Sequence, residues 1–237
     1  MNPTLLVTFW RQRLTSGFRI ALLGMLTLVP LGGIAIQPAL GLAGFKDPFG
    51  LILVIAGGAI GQDSSAGVLQ LLFARPLRRS EYVLSRWIGI AALVSVIVVV
   101  QIAIGVGALA ARGATPDSKE ALMMIADNIA FAVGLSAVIV MFSTFIGGIA
   151  DLGLLLLSYL ITNLISVVGS AAKVSALTRA ADELKTFLSP RLDLSGWVLD
   201  HGPVSWLAIV SYFSSITLCL LIAIMVMNRK ELSYASG

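Results

Sequence analysis

Residues 121–168 read ALMMIADNIAFAVGLSAVIVMFSTFIGGIADLGLLLLSYLITNLISVV, an apolar run interrupted at Asp127, Asn128 and Asp151. As one helix it would extend about 70 Å, more than twice the ~30 Å hydrocarbon core of a bilayer. It must therefore fold back on itself. Gly147-Gly148 followed by Asp151 marks a tight turn, with Asp151 read as the cap of the helix that follows.

Four further apolar stretches flank this pair. Ile20–Leu40 is long enough to span, with Pro30 as a kink. It exceeds the ~7–15-residue core of a signal sequence and reads as the first span. Phe49–Gly61 is too short to cross alone. It either continues through the polar Gln62–Ser65 or starts earlier, near Phe45. Ile88–Ala111 is a third span with Gln101 inside it, and Val204–Met227 is the last. The chain reads as a single all-α, six-span domain over residues 1–237. Pro116-Asp-Ser-Lys-Glu120 opens the fourth span, with Asp117 or Ser118 as its cap.

Composition agrees. Hydrophobic residues make up 58% of the chain and charged residues 12%, against about 25% charged in soluble domains. Mean hydropathy is +0.98. So little charge cannot cover a soluble surface, and lipid is the expected solvent. The net charge of +4 comes from arginines beside apolar runs, a pattern of membrane orientation rather than nucleic-acid binding. Cys219, the one cysteine, reads as a small buried hydrophobe, which excludes an intrachain disulfide. His201 has no partner histidine or cysteine and reads as a loop or interface residue, with no metal site implied.

Between the last two spans, Val174, Leu177, Ala181, Leu184 and Leu188 recur at helical spacing. Lys173, Arg179, Asp182, Glu183 and Lys185 fill the gaps. This connection, 171–203, reads as an amphipathic helix that packs on the outer mouth or lies in the headgroup layer.

Six spans place both termini on one side. With the N-terminus inside, nine of the sixteen Lys and Arg fall on cytoplasmic segments. These are Arg11, Arg13, Arg19, Arg75, Arg78, Arg79, Arg86, Arg229 and Lys230. Three arginines precede the first span and one lysine follows it, which orients both termini to the cytoplasm. Trp10, Trp87, Trp197 and Trp206 lie near span ends, as an aromatic belt requires.

No catalytic pattern competes. No ionisable group sits at a span centre, where an ion-driven transporter binds its coupling ion. Gln101, Thr162 and Asn163 are the deepest polar side chains. They read as interhelical hydrogen-bonding groups, with a pathway contact as the other reading. There is no Gly-x-x-x-x-Gly-Lys-Ser/Thr loop, no His-Glu-x-x-His and no Gly-x-Ser-x-Gly elbow. A transporter lacking its own coupling carboxylates must draw energy from a partner.

The segment 62–87 carries the most information. Ser64 or Ser65 can cap a short helix through Val68, Leu69, Leu71, Leu72 and Phe73. Pro76 limits it. Ser80 can cap a second helix, with Glu81 at its positive end, running straight into the third span. Two readings stand: an interfacial anchor, or a helix gripped from the cytoplasm that moves two spans.

Asp63-Ser-Ser-Ala-Gly67, Leu69-Gln-Leu-Leu72, Arg75-Pro-Leu-Arg-Arg-Ser80 and Leu84-x-Arg-Trp-x-Gly89 together resemble the signature of ABC-type-2 permeases. These are membrane subunits of ATP-binding-cassette transporters, mostly exporters. The tail Asn228-Arg-Lys-Glu-Leu-Ser-Tyr234 and the six-span layout are also similar, so the resemblance covers nearly the whole chain. Ala66-Gly67 stands where Gly-Thr is common, so that threonine's contacts do not carry over. The resemblance implies a coupling helix around Ser64–Ala74, a permease dimer and two copies of a separate ATPase subunit. ATP and Mg would then sit on that partner, with no cofactor on this chain. The implied coupling residues are Asp63, Ser64, Ser65, Gly67, Leu69, Leu72, Phe73, Arg75, Pro76, Arg78, Arg79, Ser80 and Glu81. The expected location is the prokaryotic cytoplasmic membrane, with lipid as the surrounding partner. A membrane scaffold that docks a cytoplasmic partner without transporting anything is the alternative.

Overall fold

The computed structural model of the chain describes residues 3–65, 67, 69, 78–114 and 117–230. Among them all regular structure is helical. The α-helices are α1 (Pro3–Leu14), α2 (Gly17–Ile36), α3 (Phe49–Ala56), α4 (Gly61–Ser65) and α5 (Arg79–Ala111). They continue with α6 (Ser118–Phe145), α7 (Ala150–Ala171), α8 (Ser175–Leu188), α9 (Leu194–Val198) and α10 (Trp206–Arg229). Six segments are long and apolar enough to cross a membrane: α2, Ala43–Ser65, α5, α6, α7 and α10.

The two longest helices form the centre. α6 packs against α5, α10, α7, α9 and α3, while α5 also meets α1, α2 and α10. About half or more of their apolar windows is buried, 50% in α5 and 61% in α6, against 6% in α2 and 17% in α7. The exposed faces of α2 and α7 carry Leu28, Val29, Leu157, Leu160 and Leu164. Lipid tails cover such faces as well as protein does.

The long run does fold back, between Phe145 and Ala150, with Gly148 at φ +73. Asp151 is not the cap of the fifth span. Ile149 holds that position without a side-chain bond, and Asp151 lies inside the first turn. Asp117 is the cap of α6, accepting from the Lys119 N–H.

The second span extends in both directions, from a 3-10 turn at Ala43–Phe45 through α3 to α4. Its helix breaks at residues 57–60, where Gly58 has φ +68. A left-handed backbone costs an ordinary residue about 1–2 kcal/mol and glycine almost nothing.

The connection after α7 folds back on that helix. α8 doubles back along α7, with Ala181 and Leu188 buried, while Val174, Leu177 and Leu184 of its apolar stripe stay exposed. Gly169 admits this approach: a Cβ there would stand 3.0 Å from the Thr178 N. Farther down, the Tyr159 hydroxyl donates to the Leu188 carbonyl at 3.1 Å. Tyr159 lies near the middle of α7. The next turn reaches α6, where a Cβ at Gly134 would stand 2.6 Å from the Pro190 carbonyl oxygen.

Two tryptophans stitch helices rather than forming an interfacial belt. Trp10 Nε1 donates to the Gly89 carbonyl at 2.8 Å and Trp87 Nε1 to the Val133 carbonyl at 3.0 Å. Trp206 is exposed. Cys219 is fully buried, as its apolar surroundings foretold.

Candidate functional site

A broken helix in a membrane leaves backbone groups that water cannot satisfy, so the protein must supply partners. At residues 57–61 it does so with side chains from three other helices. The Arg13 guanidinium donates to the Gly57 carbonyl at 2.7 Å and the Gly58 carbonyl at 2.9 Å. The Gly58 N–H donates to both Asp151 oxygens, at 3.1 and 2.9 Å. The Ser143 hydroxyl oxygen accepts from the N–H groups of Ile60 and Gly61, each at 2.9 Å. The Gly148 N–H then donates to the Gly61 carbonyl at 2.8 Å, tying the break to the α6–α7 turn.

Close approach explains the glycines here. A Cβ on Gly61 would stand 2.5 Å from the Gly148 carbonyl oxygen, and one on Gly57 2.7 Å from Leu152.

Below the break, Asp63 is buried and accepts from the Tyr82 hydroxyl at 2.6 Å and from the Arg86 guanidinium. Arg86 also lies 4.9 Å from the Phe9 ring centroid and 5.0 Å from that of Tyr82, and Arg13 lies 5.0 Å from Phe9. These cation–π contacts supply attraction where water is excluded. Gln62 Oε1 accepts from Arg13 at 3.2 Å and from Arg19 at 3.3 Å. Three guanidiniums thus face the two carboxylates of Asp63 and Asp151. Burial first, then Arg19 and Arg86, pull Arg13 down to about 9. It remains charged at neutral pH.

The structure brings Asp63 into this network and leaves other expected residues with different roles. Ser64 and Ser65 close α4, and the Ser65 hydroxyl donates back to the Gln62 carbonyl; the helix they were expected to cap lies outside the described residues. Ser80 is not the cap of the third span. Arg78 occupies that position and Glu81 lies in the first turn, favourably placed for the helix dipole. Arg79 Nη1 donates to the carbonyls of Met227 and Asn228, at 2.7 and 2.9 Å, at the carboxyl end of α10. Gly67 has φ +70 and Leu69 is buried. Leu72, Phe73, Arg75 and Pro76, with most of the expected Ser64–Ala74 coupling helix, lie outside the described residues.

Of the deep polar residues, Gln101 is interhelical, its Nε2 donating to the Thr27 Oγ1 of α2 at 2.7 Å. Thr162 and Asn163 are not. Their side chains donate within α7, to the carbonyls of Ser158 and Tyr159. A hydroxyl or amide one turn along is the nearest acceptor's natural partner in a helix.

In the sequence Arg13, Arg19 and Arg86 read only as cytoplasmic charges that set orientation, and nothing there marks Ser143 or Tyr82. The available signal was Gly57-Gly58 inside an apolar run, which foretells a break needing partners.

At the opposite end of the bundle lies a cavity of about 1190 Å³, between residues 38–47, the start of α6 and residues 191–208. Many of its carboxylates hold loops in place. Asp47 pairs with Arg191 at 3.2 Å, and Asp127 accepts from the Leu194 N–H at 2.7 Å. Asp193 accepts from the Gly196 N–H at 2.9 Å, capping α9. Arg191 also lies 3.8 Å from the Phe131 ring centroid.

Six apolar spans, a broken second span closed by buried side chains and a cavity at the far end define a multi-pass membrane protein. No family model matches the chain, and no curated protein matches its sequence.

Proposed function

We propose that this chain is the permease subunit of an ATP-binding-cassette transporter, an exporter working in a prokaryotic cytoplasmic membrane. Two copies form the substrate pathway and two separate ATPase subunits drive it. The observation that carries this reading is the buried contact of Asp63 with Tyr82 and Arg86. It clamps α4, at the end of the second span, to the start of α5, the third. The segment between them is tethered at both ends, so a push on it moves two spans as one body. Arg79 adds the end of α10 to that body. In this arrangement Leu72 and Phe73 form the apolar grip for the ATPase, while the buried Leu69 holds the segment to the bundle, and Arg75, Arg78 and Arg79 meet lipid phosphates or acidic groups of the partner. The cavity at the opposite end is the external mouth.

The experiment is affinity purification from the native host in mild detergent. An ATP-binding protein should co-elute in equal amount, and Leu72→Asp should reduce its association roughly tenfold, the worth of burying one leucine. A correctly inserted chain that elutes with no ATP-binding protein overturns the reading. So does normal association and hydrolysis in the Leu72→Asp variant.

A further inference from the structure

α8 carries charge at a depth where lipid is a poor neighbour. From Gly169 beside Thr178 to Tyr159 beside Leu188 is about ten residues on each helix, or ~15 Å. α8 therefore descends half the length of a membrane span. Over that length Arg179, Asp182 and Glu183 are exposed and Lys185 is half-buried. Among the described residues the ion pairs are Arg86–Asp63 and Arg191–Asp47. Among the described residues none of the four α8 charges forms an ion pair. The adjoining face of α7 is apolar and bare, through Leu157, Leu160 and Leu164. Unpaired charges against hydrocarbon are costly, so this stripe needs a cover that supplies counter-charges.

The stripe is its own complement. It holds two bases and two acids, and Arg179 and Glu183, four residues apart, share one helix face. An acidic or a basic partner would satisfy only half of it. An identical stripe offers each Arg179 a Glu183, because a two-fold interface repeats each contact in reverse. A four-residue offset is about 6 Å of rise, which two long side chains can bridge.

We infer that the α7–α8 hairpin docks on the same hairpin of a second copy, across a two-fold axis along the membrane normal, with Arg179 of each copy paired to Glu183 of the other. This names the face used by the second copy in the reading above. It depends on that copy and not on the ATPase, whose co-elution is scored separately.

The test uses the full chain in native membranes with Cys219→Ala and a single new cysteine. Thr186 is exposed one turn beyond Asp182 and Glu183 on the charged stripe. Thr186→Cys should cross-link to a species of twice the mass with an oxidant or a short bis-maleimide. Leu28→Cys, on the bare face of α2, should not. Adding Arg179→Glu to Thr186→Cys should reduce the cross-link at least tenfold, and adding Glu183→Arg as well should restore it. The inference is overturned if Thr186→Cys remains monomeric and reacts quickly with an impermeant maleimide, since the stripe then lines water. It is equally overturned if the double reversal inserts normally and fails to restore the cross-link. Should Arg179→Glu not insert, the single-cysteine result decides alone.

Discussion

Arg13 and Gly58 lie forty-five residues apart in the chain, yet the Arg13 guanidinium donates to the Gly58 carbonyl at 2.9 Å in a buried site. A helix that precedes the first span thereby closes the gap in the second. The planar fork of arginine suits this position because it reaches the Gly57 carbonyl as well, at 2.7 Å.

Arg13→Met should leave the Gly57 carbonyl without its donor and the Gly58 carbonyl with only the Gln62 N–H, at 3.3 Å. Hydrogen bonds to charged groups contribute about 1.5–3 kcal/mol each. The expected loss is about 3 kcal/mol or more, or roughly 6–12 °C in Tm for a chain of this size. Arg13→Lys, which keeps the charge and loses the fork, should fall between. Arg11 is exposed on the same helix, and Arg11→Met is the control. Thermal unfolding in detergent reads all three, and equal Tm values for Arg13→Met and Arg11→Met would refute the clamp.

Two glycines at the break should be more sensitive to substitution than Gly113, which lies after α5. Gly113 has φ +76 in open space, so Gly113→Ala costs only the left-handed backbone, about 1–2 kcal/mol. Gly58→Ala adds a Cβ 2.7 Å from the Gln62 side chain and 3.0 Å from the Gly148 carbonyl oxygen. Gly61→Ala drives a Cβ to 2.5 and 2.8 Å from the carbonyl oxygens of Gly148 and Ile146, neither of which can rotate away. Gly58→Ala and Gly61→Ala should therefore both lower expression and Tm more than Gly113→Ala. A milder effect at Gly61 would show that the α6–α7 turn does not pack on the break.

Asp63 and Arg86 should be strongly coupled. Removing one partner of a buried ion pair costs about 3–5 kcal/mol, because the other charge is left alone. Asp63→Asn and Arg86→Gln should each destabilise by that order, and the double variant by much less than their sum. Tyr82→Phe, which removes one neutral donor, should cost about 1 kcal/mol. Additive single effects in this cycle would mean the second and third spans are not clamped here.

Orientation is checked at two exposed residues at opposite ends of the bundle, Ser65 and His201. In a Cys219→Ala background, His201→Cys should react with an impermeant maleimide on intact cells. Ser65→Cys should react only once the inner face is opened. The reverse pattern would invert the topology, and with it the side from which an ATPase could act.

What the sequence by itself determined is the list of spans and their local punctuation. The fold-back near Gly147-Gly148, a cap at Asp117 or Ser118, a second span that must lengthen at one end or the other and an interhelical role for Gln101 follow from periodicity, apolar length and turn chemistry. These are interactions within a few residues, or partitions between lipid and water, and sequence encodes them directly. Tertiary structure alone decided which polar groups meet. Arg13 and Arg86 carry the same charge as the exposed Arg11, and nothing local separates a buried clamp from a headgroup anchor. Asp151 looked like a helix cap because its neighbours are helical, but its carboxylate is aimed at a Gly58 amide ninety-three residues away. α8 has the same stripe whether it lies flat or descends along α7, and only the close approach at Gly169 and the Tyr159–Leu188 hydrogen bond choose between them. A break in a membrane helix creates a demand for partners that the sequence announces. Which residues meet that demand depends on how the six spans pack, because the donors and acceptors come from α1, α6 and α7 at once.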